Sequence, residues 1–134
     1  IKIVLDNTNS STTAIDVGVS VERFPFVWGN ANGRFGTVVS SNGKTWTTLG
    51  LRRDNGKTWT TGDYIGVALD MDNRKVTFYK NGVFIDEVTG LPLEYFNFMI
   101  DAGGTPQSKV ETNFGQKSFA YPPPAGFDVG WLCP

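Results

Sequence analysis

The sequence predicts an all-β domain in which two antiparallel sheets pack face to face as a sandwich. Apolar residues recur at every second position in several short stretches, as in Ile15, Val17, Val19 and Val21, and this alternation is typical of strands with one buried face. Sixteen glycines and seven prolines separate the stretches. No long stretch repeats apolar residues at helical spacing, so many short strands with frequent turns favour a sandwich.

The first two predicted strands lie in the opening residues of the chain. Ile1, Ile3 and Leu5 are predicted to share one face of the first strand, and the polar residues 7–13 to form the turn that leads to the strand at residues 15–21. The segment that follows is irregular and rich in aromatic, amide and glycine residues, so it is expected to be a long connection.

Three of the four Asn-Gly pairs stand between strand-like segments and predict three turns, because a tight two-residue hairpin turn needs positive φ at both positions. The pairs are Asn42-Gly43, Asn55-Gly56 and Asn81-Gly82. The strands predicted around them are residues 37–41, 44–51, 57–61, 65–69 and 76–79.

The later strands are predicted from the same alternation. Phe96, Phe98 and Ile100 are expected to share one strand face, and Val110, Thr112 and Phe114 another. All predicted strands belong to one domain, residues 1–134, because no composition change marks a boundary.

One heptapeptide, NGKTWTT, occurs at residues 42–48 and again at 55–61. One hypothesis is a duplicated binding loop that presents Trp46 and Trp59. The other, which we favour, is a pair of adjacent hairpin arms with similar turn chemistry, since Lys-Thr-Trp-Thr-Thr suits a strand with one buried face.

Composition argues against several functions. Charge is nearly balanced, with twelve basic and thirteen acidic residues and a net charge of −1, so nucleic acid is not predicted as a partner. The chain has no histidine and one cysteine, Cys133, which removes the commonest catalytic base and the ligands of a zinc cluster. No apolar run approaches membrane-spanning length, and no nucleotide motif occurs. We expect no enzyme activity, cofactor, metal or membrane insertion.

Asp70, Asp72 and Asn73 offer oxygens of the kind that calcium prefers. The spacing lacks the glycine and the distal glutamate of a calcium loop, and Asp and Asn are also the residues that a tight strand connection uses. We therefore predict a turn at these residues.

Five segments together resemble the SPRY (B30.2-like) family. They are residues 15–20 (IDVGVS), 65–70 (IGVALD), 76–83 (VTFYKNGV), 90–92 (GLP) and 113–116 (NFGQ). The central hairpin in combination with the NFGQ ending is the specific part of the likeness. The resemblance implies a bent, jelly-roll β-sandwich that binds proteins, or sometimes glycans, through loops at one end, without catalysis.

The closing run at residues 113–127, NFGQKSFAYPPPAGF, is similar to SPRY modules of bacteriophage and other viral structural proteins, such as tail or virion components. Residues 122–134 are expected to form a closing arm or an exit linker, since three consecutive prolines are stiff and extended. Because Ile1 is not a start methionine, we expect the chain to be an excerpt of a longer one.

Two segments supply the candidate ligand-binding residues, and the resemblance implies that both border the recognition surface. Residues 22–34 combine aromatic, amide and guanidinium side chains, which are typical of protein hot spots and of sites that stack sugars. In such a site Trp28 would be an apolar platform and Arg23 a charged donor. Residues 101–107 form a glycine-rich loop. The candidates are Arg23, Phe24, Trp28, Asn30, Arg34, Thr105 and Gln107. Alternatively, the aromatic residues cap the sandwich interior and the second segment is a plain turn.

The leading functional hypothesis is a non-catalytic recognition module of a virion or tail protein that binds a host-surface protein or glycan. A structural domain that only contacts neighbouring virion subunits is the second hypothesis, and a cellular adaptor that captures a short peptide is the third. The chain is expected in the virion if the protein is viral, and otherwise to be soluble.

Overall fold

The computed structural model describes residues 1–8, 14–21, 35–47, 52–104 and 106–128. Within these residues it has ten strands and no helix, which confirms the predicted all-β class, and no segment of them forms a helix able to cross a membrane. The strands are β1 (Lys2–Leu5), β2 (Ile15–Ser20), β3 (Gly36–Ser40), β4 (Asn42–Thr47), β5 (Arg52–Thr58), β6 (Ile65–Asp70), β7 (Lys75–Lys80), β8 (Val83–Thr89), β9 (Asn97–Ala102) and β10 (Lys109–Glu111).

The first layer is a five-stranded antiparallel sheet in the order β5-β4-β3-β2-β9. Val17 of β2 pairs with Val39 on one side and with Ile100 on the other. Since side chains alternate between the two faces of a strand, these three residues point to the same side. That side faces the interior of the sandwich.

The second layer combines the three-stranded sheet β6-β7-β8 with the two-stranded sheet β1-β10. The backbone of β1 joins them, because Ile3 N–H donates to Asp63 O at 2.8 Å and Ile65 N–H donates to Ile1 O at 2.8 Å. Lys2 and Tyr64 form a further antiparallel bridge. The resulting strand order is β10-β1-β6-β7-β8, so β1 lies inside the layer.

The core lies between the layers and draws on both. Its fully buried members include Val17, Val19 and Val39 from the five-stranded sheet, and Ile3, Val76 and Phe78 from the second layer. Burying a side chain of this size removes apolar surface from water and stabilises the fold by about 1.5–3 kcal/mol. The alternating residues that predicted the strands are therefore the residues that hold the two sheets together.

One end of the sandwich, which we name the Ser41 end, contains the β3–β4 turn. Ser41 N–H donates to Ile15 O at 2.9 Å, which ties this turn to the start of β2. Lys80, the last residue of β7, donates from Nζ to Thr58 O at 2.8 Å. This contact connects the two layers at the Ser41 end.

The opposite end, which we name the Phe35 end, contains the start of β3 and the start of β7. Val21 N–H donates to Phe35 O at 2.9 Å, and the Phe35 and Phe96 rings pack edge to face with centroids 6.2 Å apart. Arg74, just before β7, donates from Nε to Leu91 O at 2.7 Å.

The Asn81-Gly82 prediction is confirmed in detail. Lys80 pairs with Val83 across a two-residue turn, and φ is 50° at Asn81 and 78° at Gly82, as a type I′ turn requires. The Asn81 side chain adds specificity, because its Oδ1 accepts from Tyr64 N–H at 2.8 Å. The Asn42-Gly43 hairpin is also present, with its turn at Ser41.

The third predicted turn, Asn55-Gly56, is wrong. Both residues lie inside β5, in a bulge where Asp54 pairs with Lys44 and Thr58 pairs with Asn42. Gly56 has φ 69°, and the left-handed conformation that favours Asn-Gly in a turn serves equally in a bulge. Asn55 Oδ1 accepts from Lys57 N–H at 2.8 Å and stabilises the bulge.

Two predicted strand faces are shorter than expected. The pairing of β1 with β10 shifts between Ile3 and Leu5, so Leu5 leaves the buried face and is exposed. Phe114 lies beyond β10 because Asn113 begins a turn, in which its Oδ1 accepts from Gly115 N–H at 3.0 Å. The predicted turn at residues 70–73 is present, with Asn73 N–H donating to Asp70 Oδ1 at 2.9 Å.

Candidate functional site

A cleft of about 390 Å³ opens at the Ser41 end of the sandwich. Segments far apart in the sequence form it: the residues after β1, the β3–β4 turn, the residues from the end of β5 to the start of β6, and the end of β7. Its lining residues are Asp6, Thr8, Ser41, Thr58, Trp59, Thr60, Asp63 and Lys80. Seven of these eight residues carry a hydroxyl or a charged group, and the eighth is Trp59.

The side of the cleft next to β1 is fixed by Asp6. Its Oδ1 accepts from Thr8 N–H at 2.9 Å and from the Thr8 hydroxyl at 2.6 Å. Asp6 N–H in turn donates to Thr61 Oγ1 at 2.9 Å. A carboxylate that bonds the backbone two residues ahead forms an Asx turn, which fixes the conformation of residues 6–8.

Asp63 and Lys80 form a charged pair on another side of the cleft. Asp63 Oδ2 lies 3.2 Å from Lys80 Nζ and accepts from Thr60 N–H at 2.9 Å, while Oδ1 accepts from Asn81 Nδ2 at 2.8 Å. Partial burial raises the pKa of Asp63, but the bonds from Thr60, Asn81 and Lys80 together outweigh it and leave the pKa below its usual value. The carboxylate therefore stays ionised.

Trp59 forms the inner wall of the cleft and belongs to the core. Only 3% of its surface is exposed, and its backbone N–H donates to Ser41 O at 3.2 Å. Its indole Nε1–H is buried and meets no hydrogen-bond acceptor within the part of the chain that the structure describes. Buried donors are nearly always paired, so this indole is an exception within the core of the domain.

The chemistry available here is recognition by hydrogen bonding. The described residues contain no group of three histidine, cysteine or acidic side chains placed to hold a metal ion. The cleft supplies hydroxyls, the Asp63–Lys80 ion pair and the Asp6 carboxylate. Such a wall can bind a polar ligand on several sides.

A sequence model of the SPRY domain matches residues 2–117, a range that includes all ten strands. The chain belongs to the SPRY family. SPRY domains are in general non-catalytic modules that bind proteins. A search of curated proteins found no match to the chain.

This SPRY domain also exposes apolar side chains around the β7–β8 turn. We name Tyr64, Tyr79, Val83, Phe84 and Tyr121 the hairpin surface. Tyr79 and Phe84 pack edge to face with ring centroids 6.5 Å apart, as do Tyr64 and Tyr121 at 5.7 Å. Val83 is 65% exposed and Phe84 54%. The surface lies at the Ser41 end, since Lys80 contributes to the cleft and precedes the turn.

Gly82 keeps the hairpin surface compact. A Cβ atom at this position would lie 3.0 Å from Tyr121 Cδ1, so the Tyr121 ring packs directly on the turn. Gly82 also has positive φ, which glycine adopts without strain. The turn residue that closes the hairpin therefore also positions an aromatic side chain of the hairpin surface.

Most of the candidate residues predicted from the sequence lie outside the described residues: Arg23, Phe24, Trp28, Asn30, Arg34 and Thr105. Gln107 is described, is exposed and lies at the Ser41 end, close to Ser108, whose Oγ accepts from Asn7 N–H at 3.0 Å. Val21 and Phe35, which border the first candidate segment, lie at the other end of β2. The two candidate segments thus leave the sandwich from opposite ends.

The sequence analysis missed the cleft and the hairpin surface. For the hairpin surface a signal was available, because Val83 and Phe84 are consecutive apolar residues directly after a tight turn, and at least one side chain of such a pair must leave the core face. For the cleft no comparable signal exists, since its residues come from four separated segments.

A partly buried carboxyl group lies on the outer face of the five-stranded sheet. Asp16 accepts a hydrogen bond from Ser40 Oγ and pairs with Asp101 on β9. Burial and, to a smaller extent, the negative charge of Asp101 raise the pKa of Asp16, the hydrogen bond from Ser40 lowers it, and the net pKa is about 6. This face of the sheet therefore responds to pH in a range where most carboxylates are fully ionised.

Proposed function

We propose that this SPRY domain is a non-catalytic recognition module of a viral structural protein, and that it binds a host-surface protein or glycan through the Ser41 end. The observation that carries the proposal is the exposed hairpin surface, in which two aromatic pairs stand beside a type I′ turn. The similarity of the closing run at residues 113–127 to modules of viral structural proteins supports the viral setting and a location in the virion.

The hairpin surface favours a protein as the partner. Aromatic side chains are enriched in the centre of protein interfaces, where they supply most of the binding free energy. Tyrosine and phenylalanine present a large apolar area with only two side-chain torsions to fix. Their contacts with one another limit these torsions before binding, which reduces the ordering cost.

The strands that present this surface are rigidly connected. Arg53 forms two hydrogen bonds to Asp86, from Nε at 2.8 Å and from Nη2 at 2.9 Å, and its Nη2 also donates to Glu87 O at 2.6 Å. Bidentate pairs of this kind fix geometry as well as charge. They connect β8 to the five-stranded sheet, so the hairpin keeps its position when a partner docks.

A selection experiment tests the protein-binding role. Peptides selected from a random displayed library against the wild-type domain should lose about 30-fold in affinity for Val83→Ser/Phe84→Ser, since a hot spot contributes about 2 kcal/mol. The matched control is Leu93→Ser/Tyr95→Ser. Leu93 is 78% exposed and Tyr95 93%, and both lie before β9, away from the Ser41 end.

The outcome that contradicts the proposal is equal binding of the selected peptides to wild type and to the hairpin variant, with the control variant impaired instead. Circular dichroism and the unfolding midpoint should show that both variants remain folded. The viral setting has a separate test. When virus particles are purified from the material in which the protein occurs, mass spectrometry should detect peptides of this chain in the particles. Recovery from cell lysate alone would contradict that assignment.

A further inference from the structure

We propose that the open edge of β8 binds an extended segment of a protein partner as a short added strand, antiparallel to β8 and centred on Phe84. The inference rests on the proposed recognition function, because it states how a protein ligand contacts the hairpin surface. It depends on three properties of this edge: unpaired main-chain groups at Phe84, exposed apolar side chains beside them, and main-chain groups at Glu87 that are already paired.

The strand β8 is the last strand of the second layer. β7 pairs with one side of it, and no strand of the described residues pairs with its other side. The main-chain N–H and C=O groups of successive residues in a strand point to opposite sides. Part of the main-chain groups of β8 are therefore directed to the open edge, where another chain can pair with them.

Phe84 directs its main-chain groups to this edge. Lys80 and Val83 flank the type I′ turn and pair with each other, so the groups of Val83 point to β7 and those of Phe84 point away from it. Neither the N–H nor the C=O of Phe84 is hydrogen-bonded within the described residues. One residue of an antiparallel extended segment offers an acceptor and a donor in the matching positions, so it satisfies both groups.

The side chains beside these groups are apolar and exposed. Val83 is 65% exposed and Phe84 54%, and the Phe84 ring packs edge to face with Tyr79. The side chain of the residue opposite Phe84 lies on the same face as this ring pair and reaches it. The next residue of the segment points to the other face, on the side of Val83. We therefore expect apolar side chains at both positions of the ligand.

Glu87 limits the length of the added strand. The pairing of β8 with β7 shifts at Ile85, and a bulge of this kind bends the strand. Beyond it, Glu87 N–H donates to Asp86 Oδ1 at 2.8 Å and Glu87 O accepts from Arg53 Nη2 at 2.6 Å. Side chains of the domain thus occupy the main-chain groups that a longer strand needs. The edge accepts a short segment and resists the addition of a whole sheet.

Two variants of residue 84 test the proposal. Phe84→Pro removes the N–H and places its ring where the added strand lies, and proline is tolerated at an edge position whose N–H points out of the sheet. The matched control is Phe84→Val, which loses the aromatic ring and keeps the N–H. Peptides selected from the displayed library should bind Phe84→Pro about tenfold or more weakly than Phe84→Val.

Fluorescence anisotropy with labelled peptides measures these affinities, and circular dichroism with the unfolding midpoint shows whether both variants are folded. Equal affinities of the two folded variants overturn the proposal.

Hydrogen exchange of the ¹⁵N-labelled wild-type domain needs no variant. A bound peptide should slow exchange of the Phe84 amide about tenfold or more, because this N–H becomes hydrogen-bonded. The Glu87 amide is the internal control, since Asp86 accepts from it in the free domain as well. A bound peptide that leaves the Phe84 amide exchanging as fast as in the free domain overturns the proposal.

The peptide gives a third test through N-methylation of its residues one at a time. Methylation of the residue opposite Phe84 should abolish binding, because its N–H bonds Phe84 O. The two adjacent residues should tolerate methylation better, because their N–H groups point away from β8. Equal tolerance at every position contradicts the added strand.

The binding mode and the recognition function can fail separately. Peptides that lose affinity for Val83→Ser/Phe84→Ser but leave the Phe84 amide unprotected would refute the added strand and leave the recognition function in place. Peptides whose affinity does not depend on Val83 and Phe84, or a selection that yields no binder, would refute both.

Discussion

The two copies of NGKTWTT have the same seven residues and different environments. In the first copy, Asn42 and Gly43 follow the β3–β4 turn and Trp46 is half-buried. In the second copy, Asn55 and Gly56 form a bulge within β5 and Trp59 is part of the core. Both copies begin on the paired strands β4 and β5, where Asn42 pairs with Thr58, but the similar turn chemistry that the favoured hypothesis predicted is wrong for Asn55-Gly56, which lies in a bulge. The hypothesis of two presented tryptophans is wrong for Trp59.

The difference follows from the register of the strands. Thr45 pairs with Arg53 and Trp46 with Arg52, so odd-numbered residues of both strands point inwards and even-numbered ones outwards. The offset between the copies is thirteen residues. An odd offset therefore sends Trp46 to the outer face and Trp59 to the core. Local sequence selects the strand conformation, but pairing decides which face each side chain occupies.

The largest expected difference between the copies concerns the tryptophans. Trp59→Ala should lower the free energy of unfolding by about 4 kcal/mol, because it leaves a cavity in the core. Trp46→Ala should cost about half as much or less, since its half-buried ring leaves space that solvent can fill. Urea unfolding of both variants measures the difference. Equal losses would mean that the two faces are equally packed.

A second difference concerns pH, because Asp16 lies on the same outer face as Trp46. The folded pKa of about 6 exceeds the ordinary 3.8, so the folded state binds the proton more tightly and stability decreases as pH rises from about 4 to 6. Asp16→Asn should be more stable than wild type by up to about 3 kcal/mol at pH 7 and equal to it near pH 4.

Denaturant unfolding at several pH values between 4 and 8 checks this expectation. The exposed Asp101→Asn is the matched control, since it removes only the neighbouring charge and should change stability much less. A stability difference between Asp16→Asn and wild type that is the same at every pH would refute the assignment of this titration to Asp16.

The threonines at the fourth position of each copy should differ by a smaller amount. Thr45 Oγ1 donates to Asp86 Oδ2 at 2.6 Å and accepts from Asn55 Nδ2 at 3.0 Å, whereas Thr58 is exposed. Thr45→Val should cost about 1–2 kcal/mol, because it removes one of the two donors to Asp86 Oδ2 and leaves Asn55 Nδ2 without its acceptor. Thr58→Val should cost less than about 0.5 kcal/mol. Similar losses in thermal unfolding would show that the Asp86 network contributes little.

The glycines of the two copies should differ least. Gly43 has φ 81° and Gly56 φ 69°, and alanine is strained in this left-handed region by about 1–2 kcal/mol. A Cβ atom at Gly43 would touch Lys57 N and Thr58 Cγ2 at 3.5 Å, an ordinary contact, and one at Gly56 would meet open space. Both alanine variants should therefore lose about 1 kcal/mol. A clearly larger loss in one of them would reveal strain that φ alone does not explain.

Sequence patterns predicted the features that depend on neighbouring residues. Asn81-Gly82 was predictable because both positions need positive φ, and β2 because its alternating valines have one buried face. Asn55-Gly56 was not, since the same conformation serves turns and bulges. The place of β1 between β10 and β6 depends on pairing between strands about a hundred residues apart in the sequence. No local sequence pattern predicts such a pairing.

The candidate site was less predictable than the fold. Gln107 does lie exposed at the Ser41 end, but the cleft requires Asp6, Ser41 and Lys80 to meet, and their spacing in the sequence carries no sign of this. The unpaired indole of Trp59 could not be predicted from the sequence either. Trp46 occupies the same position of the same heptapeptide, but its side chain points to the outer face of the sheet. Sites built from several loops depend on the register of the whole sheet.

The interior position of β1 has a consequence for synthesis of the domain. Lys2 pairs with Glu111 on one side and bridges to Tyr64 on the other, so the second layer cannot close until nearly all of the domain has left the ribosome. Contacts between residues so distant in sequence slow folding. Until then the edge of β1 that pairs with β10 lacks its final neighbour, and nascent chains on the same messenger can pair with each other through this edge.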